Sequence, residues 1–142
     1  MSIKSNNITL GELFPNSALL EIDQKRLVQG LSLDSRTVKT GDVFFAYPGV
    51  VADGRQYVQA AVEKGAVAVI VESGESQGFD WSDLKVPVLM VEDLRHALGS
   101  VAASFWGAPS AKLTVVAVTG TNGKTSVTQM IAESVDSLGS KG

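Results

Sequence analysis

Between Val118 and Ser126 the chain reads "VTGTNGKTS", and the types and spacing of these residues suit the binding of phosphate. Gly120 and Gly123 permit a tight backbone turn that brings N–H groups toward phosphate oxygens. A helix starting near Lys124 would add its positive dipole end to the same point. Lys124 would reach the outer phosphates of a nucleotide, Thr125 would ligate Mg2+, and Ser126 would bond a further oxygen. The usual longer loop, G-x-x-x-x-G-K-[ST], requires glycine at position 118. Val118 stands there, so this is the shorter G-x-x-G-K-T form.

A second group of polar residues comes much earlier. In "LDSR", Leu33 to Arg36, Ser35 is either a ligand contact or a turn residue, with Asp34 pairing Arg36 or capping backbone groups. Arg36 has the planar donor geometry for a diphosphate, and a surface ion pair is the plainer use for it. Asp53 and Arg55 in "ADGR" read as a helix cap and a solvated charge, and Asp42 as part of the turn before its strand. His96 reads as a partly exposed surface histidine. Glu72, Glu75, Asp80 and Asp83 fall in a solvated loop where no metal is needed to explain them. Trp81 in that loop is expected to patch the domain's own core. Phe105 and Trp106 are expected to anchor the linker that follows them.

Alternating strand and helix patterns position these groups and indicate an α/β fold. Thr9 is a cap for a short helix carrying Leu10, Leu13 and Phe14, closed by Pro15. Alternation from Leu27 to Leu33 predicts one half-buried strand, and Asp42 to Tyr47 a second. Asp53 caps a helix carrying Tyr57, Ala60, Ala61 and Lys64 to a stop at Gly65. "AVAVIVE" is almost wholly apolar, as a parallel strand covered on both faces would be. After the Glu72 to Pro87 loop, "VLMVED" gives another strand, and Asp93 caps a helix whose stripe is Leu94, Leu98, Val101, Ala102 and Phe105. Beyond "GAPSAK", "LTVVAVT" predicts a strand, followed by the glycine loop and a helix with Val127, Met130, Ile131, Ser134, Val135 and Leu138 on one stripe. The division implied is a first domain over 1–107, a linker at 108–112, and the opening of a second, doubly wound domain at 113–142.

Composition narrows the partners. The 142 residues are 44% hydrophobic and 19% charged, with a net charge of −3 and no basic block to neutralise nucleic-acid phosphates. There is no cysteine and one histidine, so disulfides and thiolate metal sites are excluded. No segment has the roughly 18 consecutive apolar residues of a membrane span, and a cytoplasmic protein is expected.

"VTGTNGKTS" resembles the nucleotide loop of the Mur ligases and of their folylpolyglutamate synthetase relatives. The "LDSR", "GDVF", "ADGR" and "GAVAVI" landmarks between Leu33 and Ile70 are similar, in order and spacing, to the N-terminal domain of the Mur ligases that add a diamino acid. The resemblance implies a uridine-nucleotide-binding N-terminal domain followed by an ATP-binding P-loop domain. The partners it implies are ATP, Mg2+, UDP-N-acetylmuramoyl-L-alanyl-D-glutamate and a diamino acid, with meso-diaminopimelate preferred over lysine. ATP would phosphorylate the glutamyl carboxylate, and the amino group of the diamino acid would attack the acyl phosphate. Carried over by position, Leu33, Ser35, Val50, Val51 and Ala52 contact the uridine nucleotide. Gly120, Thr121, Asn122, Gly123, Lys124, Thr125 and Ser126 form the ATP loop, with Lys124 catalytic and Thr125 on the metal. Where many relatives have polar residues this chain has Val50 and Val51, so only backbone contacts are expected there.

Only the first domain and one element of the second are matched, so an N-terminal fragment without ligase activity of its own, and a monomer, is expected. The competing readings are a free-standing uridine-nucleotide module, the later dipeptide-adding Mur ligase, a small P-loop ATPase or kinase, and folylpolyglutamate synthetase. The "LDSR" domain argues against the last.

Overall fold

The computed structural model describes residues 8–50, 52–74 and 78–139. The chain divides into two compact units, Met1–Pro109 and Ser110–Gly142.

In the first unit four parallel strands lie side by side in chain order: β3 (Gly30–Ser32), β4 (Asp42–Ala46), β5 (Ala68–Glu72) and β6 (Val88–Val91). The register sets Leu31 beside Val43, Phe44 beside Val69, and Ile70 beside Leu89. Side chains alternate across a pleated strand, so each strand serves two cores. Val43, Phe45, Ala68 and Ile70 face one way and pack with Leu10 and Leu13 of α1 (Leu10–Leu13) and with Leu94, Val101 and Phe105 of α4 (Leu94–Trp106). Phe44, Ala46, Val69 and Val71 face the other way, onto Val58 and Ala61 of α3 (Val58–Glu63). Trp81, Leu84 and Val86 from the long loop complete that second core, as expected of Trp81. This double cover is the reason β5 needs an almost continuous apolar run.

Smaller elements close the edges. β1 (Ile8–Thr9) pairs antiparallel with β2 (Leu27–Val28), and α2 (Glu21–Gln24) lies between them in sequence. The Thr9 hydroxyl accepts from the Glu12 amide and the Glu12 carboxylate accepts from the Thr9 amide, a reciprocal cap on α1.

Four sequence expectations need correction. The strand drawn from Leu27 to Leu33 is two strands, because β2 pairs with β1 and β3 with β4, and the Gln29 amide between them donates to the Gly41 carbonyl. In α3 the inward residues are Val58 and Ala61, while Tyr57, Ala60 and Lys64 are exposed. The preceding Gly54–Tyr57 turn is a 3-10 helix with a tighter period, which rotates the face that reaches the sheet. Asp93 stands at the start of α4 with φ +51, and its side chain caps no backbone amide.

The fourth correction falls in the second unit. Residues 113–118 form no strand there, because a parallel strand exists only through hydrogen bonds to neighbours and none is available among the described residues. The helix does form, as α5 (Lys124–Ser137), yet no residue on it is buried. Of its expected stripe only Ile131 and Val135 are half-buried, in a hollow of about 640 Å3 shared with Leu113, Val116 and Val118, and Met130 is 66% exposed.

Candidate functional site

The carboxyl ends of β3 and β4 open into a cleft of about 560 Å3, the edge of an α/β sheet where ligands are usually held. Its walls come from two loops. After β3 the chain makes the "LDSR" turn, in which the Asp34 carbonyl accepts from the Thr37 amide and from the hydroxyls of Ser32 and Thr37, all at 3.0 Å. With its backbone so fixed, the turn presents Leu33, Asp34, Ser35 and Arg36 to the cleft. Ser35 is only 9% exposed, and among the described residues its hydroxyl has no hydrogen-bond partner.

Asp34 and Arg36 form a forked pair, with Nη2 to Oδ2 at 2.7 Å and Nε to both oxygens at 3.0 Å. The Arg36 side chain and then its amide donate to the carboxylate, which lowers the Asp34 pKa to about 2. The Arg36 side chain is 86% exposed and stays charged, a guanidinium at the mouth of the cleft. Lys64 donates to the Arg36 carbonyl at 3.0 Å and places a second cation nearby.

The second wall is the loop after β4. Pro48 and Asp53 pair as an isolated bridge, the Gly49 amide donates to the Ala52 carbonyl at 2.9 Å, and the Gly54 amide donates to the Tyr47 carbonyl at 3.0 Å. A Cβ on Gly54 would sit 2.9 Å from that carbonyl oxygen, so the close approach requires glycine. Tyr47, Gly49, Ala52, Gly54 and Tyr57 line the cleft together with Phe44 and Phe45.

Arg55 differs from its expected role as a solvated charge. It is 9% exposed, forks onto the Asp53 carboxylate with Nη2 to Oδ2 at 2.8 Å, and lies 5.2 Å from the ring centroid of Phe79. Phe79 in turn stacks on Trp81 at 5.5 Å. Asp53 also accepts the Arg55 amide, as a cap should, and the Arg55 side chain holds its pKa below the usual carboxylate value.

Of the residues carried over for a nucleotide, Leu33, Ser35 and Ala52 line this cleft. Val50 is 97% exposed and is not among the lining residues, and Val51 lies outside the described residues. Tyr47 and Tyr57 were not singled out as site residues. Their signal was position: each stands at a boundary of the loop between β4 and α3.

In the second unit Gly123, with φ +77, precedes α5, and no side chain caps the helix, so the amides of its first turn remain open to an anion. Lys124 folds back over the loop and donates to the Gly120 carbonyl at 2.7 Å. Gly120, Thr121, Asn122, Gly123, Lys124, Thr125 and Ser126 are all exposed. Open amides, an ammonium and three hydroxyls fit a nucleotide polyphosphate. A Cβ on Gly123 would meet nothing within 4 Å, so backbone conformation alone selects glycine there. Among the described residues no three His, Cys, Asp or Glu side chains cluster as metal ligands.

Comparison with known proteins identifies the family. Residues 27–106 match the model of the Mur ligase family, catalytic domain. A UDP-N-acetylmuramoyl-L-alanyl-D-glutamate–2,6-diaminopimelate ligase of Pseudomonas syringae pv. tomato is 44% identical over 119 residues, covering 84% of this chain and 24% of the relative. The enzyme of that name from Pseudomonas aeruginosa is 41% identical over 134 residues, or 94% of this chain and 26% of the relative. The chain thus spans about a quarter of the length of these relatives. A solved structure of such a ligase superposes with a TM-score of 0.70 at 29% identity, covering 93% of this chain and 26% of that one. A MurF ligase from Thermotoga maritima in complex with ADP superposes at 0.53 with 30% identity, over 75% of this chain and 23% of its own. With the family model matched over more than half of its residues, the chain belongs to the Mur ligase family.

Proposed function

We propose that this chain belongs to an ATP-dependent ligase that joins a diamino acid, meso-diaminopimelate, to UDP-N-acetylmuramoyl-L-alanyl-D-glutamate during peptidoglycan synthesis in the cytoplasm. The observation that carries the reading is the match to ligases of that name across 84% and 94% of the chain. The geometry of the first unit supports it. Residues 1–107 form the uridine-nucleotide domain, 108–112 a linker, and 113–142 the opening of the ATP domain. In the cleft the Ser35 hydroxyl, without a partner among the described residues, and the Arg36 guanidinium suit a diphosphate, and the rings of Tyr47 and Tyr57 suit a base or sugar. Leu33 and Ala52, which line the cleft, contribute apolar surface, and Val50 and Val51 are assigned to the same nucleotide by position in the family pattern alone.

ATP, when bound, supplies the phosphoryl group that activates the substrate carboxylate. The residues that would hold it are Gly120 through Ser126. Their amides and the Lys124 ammonium neutralise the polyphosphate, and the Thr125 hydroxyl is the group present for Mg2+. No described helix is long and apolar enough to cross a membrane. The ligase acts as a monomer, without nucleic acid.

Calorimetric titration of the 142-residue chain with UDP and with ADP tests the assignment. UDP is expected to bind at least about tenfold more tightly, and Ser35→Ala to weaken it by about five- to tenfold through one lost hydrogen bond. Equal binding of the two nucleotides, or UDP affinity untouched by Ser35→Ala, overturns the assignment of the cleft.

A further inference from the structure

The loop from Tyr47 to Gly54 forms one wall of the cleft but has little of its own to hold it. Among its described residues it has two internal backbone hydrogen bonds, which together make up its one bridge, and Val50 and Ala52 point no apolar side chain into a core. A segment with so few buried contacts opens readily unless something outside ties it down. The far end of the loop is held at Asp53, which forks with the buried Arg55, and Arg55 in turn lies 5.2 Å from the ring centroid of Phe79.

The near end, at Tyr47 and Pro48, is tied by a residue distant in sequence. Arg95, in the first turn of α4, donates from Nη2 to the Pro48 carbonyl at 2.8 Å, and its guanidinium lies 5.2 Å from the ring centroid of Tyr47. The two contacts fall on adjacent residues of the loop, where the chain leaves β4 and enters the cleft wall. Helix α4 is itself fixed through Leu94, Val101 and Phe105 in the core beneath the sheet. A planar cation that stacks and donates at once has only a narrow range of positions, so Arg95 transmits the rigidity of α4 to Tyr47 and Pro48.

We infer that Arg95 is a positioning residue for nucleotide binding: it touches no ligand but sets Tyr47 and the wall that follows it in the geometry the cleft requires. This rests on the reading of the cleft as a uridine-nucleotide site. Arg95→Met keeps the apolar stem and removes both contacts, and Arg95→Lys keeps the charge but loses the planar fork.

The test measures, on the 142-residue chain, amide hydrogen exchange at Gly49 and Gly54, UDP affinity, and the melting temperature. In Arg95→Met, exchange at both amides is expected to rise by about tenfold and UDP affinity to fall by about three- to tenfold, with the melting temperature held. Arg95→Lys should recover part of each. Unchanged exchange at Gly49 and Gly54 overturns the tie, and faster exchange with unchanged affinity overturns its role in binding. If the unmodified chain binds no UDP, the reading of the cleft fails, while the exchange data still decide whether Arg95 holds the loop.

Discussion

Both units of this chain carry residues to which a phosphate-binding role is proposed, yet the two sites are built in opposite ways. The first places Ser35 and Arg36 on a turn whose carbonyl takes three donors, at the end of a sheet packed on both faces. The second places Lys124, Thr125 and Ser126 at the start of a helix with no buried residue, in a unit whose described residues form no strand. Their local chemistry is comparable, and what differs is how much of the surrounding fold fixes the donors. A ligand that needs convergent N–H groups gains most where those groups are already immobile, because ordering them on binding subtracts from affinity.

The largest effect should appear in stability. Phe45 is 1% exposed in the core of the first unit, and Phe45→Ala is expected to destabilise it by about 3–5 kcal/mol. Val135→Ala, on the half-buried side of α5, should shift the same urea transition by less than about 1 kcal/mol. Tryptophan fluorescence follows the transition, since Trp81 packs against the second core. Equal shifts from the two substitutions would mean that α5 is part of a packed core after all, and the contrast would be lost.

A smaller effect separates two glycines. At Gly54 an added Cβ meets the Tyr47 carbonyl oxygen at 2.9 Å and the Tyr47 nitrogen at 3.2 Å, both backbone atoms that cannot turn aside. Gly54→Ala should therefore displace the cleft wall and weaken UDP binding by about tenfold or more, as displacement of a binding wall does. At Gly123 the penalty is conformational only, about 1 kcal/mol for a non-glycine residue at positive φ, with open space around it. Gly123→Ala should leave UDP binding unchanged. Titration of both variants with UDP checks the pair. A Gly54→Ala chain that binds UDP normally would show that the wall is pliable, closer in character to the exposed loop of the second unit.

The parts of the fold that could be read in the sequence were those set by local pattern. The almost wholly apolar "AVAVIVE" announced a strand covered on both faces, and Thr9 announced a capped helix. Residues whose role depends on a distant partner could not be read this way. Arg55 looked like a surface charge because nothing near it reveals that Phe79 will cover its guanidinium. Gln29 gave no sign that the chain changes sheets there, since β1 and β4 supply the choice of partner. For residues 113–118 the apolar pattern of a strand was legible, but a pattern cannot supply the neighbouring strand. In the cleft the sequence pointed to Leu33, Ser35 and Ala52, which line it, while the two tyrosines escaped notice because an aromatic beside a turn has no distinctive spacing.

The smallest effect concerns a pair on the surface of the first unit that resembles the second unit in being held only locally. Asp93 accepts from His96 Nδ1 at 2.6 Å, and that hydrogen bond, with the charge of Asp93, raises the His96 pKa above 6.5. The positive end of α4 opposes the imidazolium, and the short contact outweighs it. A raised folded pKa means that the stabilisation is fully present below the unfolded value and is lost as pH rises through the folded value. The window therefore begins near 6.5 and extends upward. Because both groups are exposed, solvent screens the pair and the urea midpoint should hardly move across that window. Proton NMR of the one histidine should show a midpoint above 6.5, and Asp93→Asn should bring it down. A midpoint at or below 6.5 in the unmodified chain would show that a local pair, without packing around it, does not hold even at the edge of a well-ordered sheet.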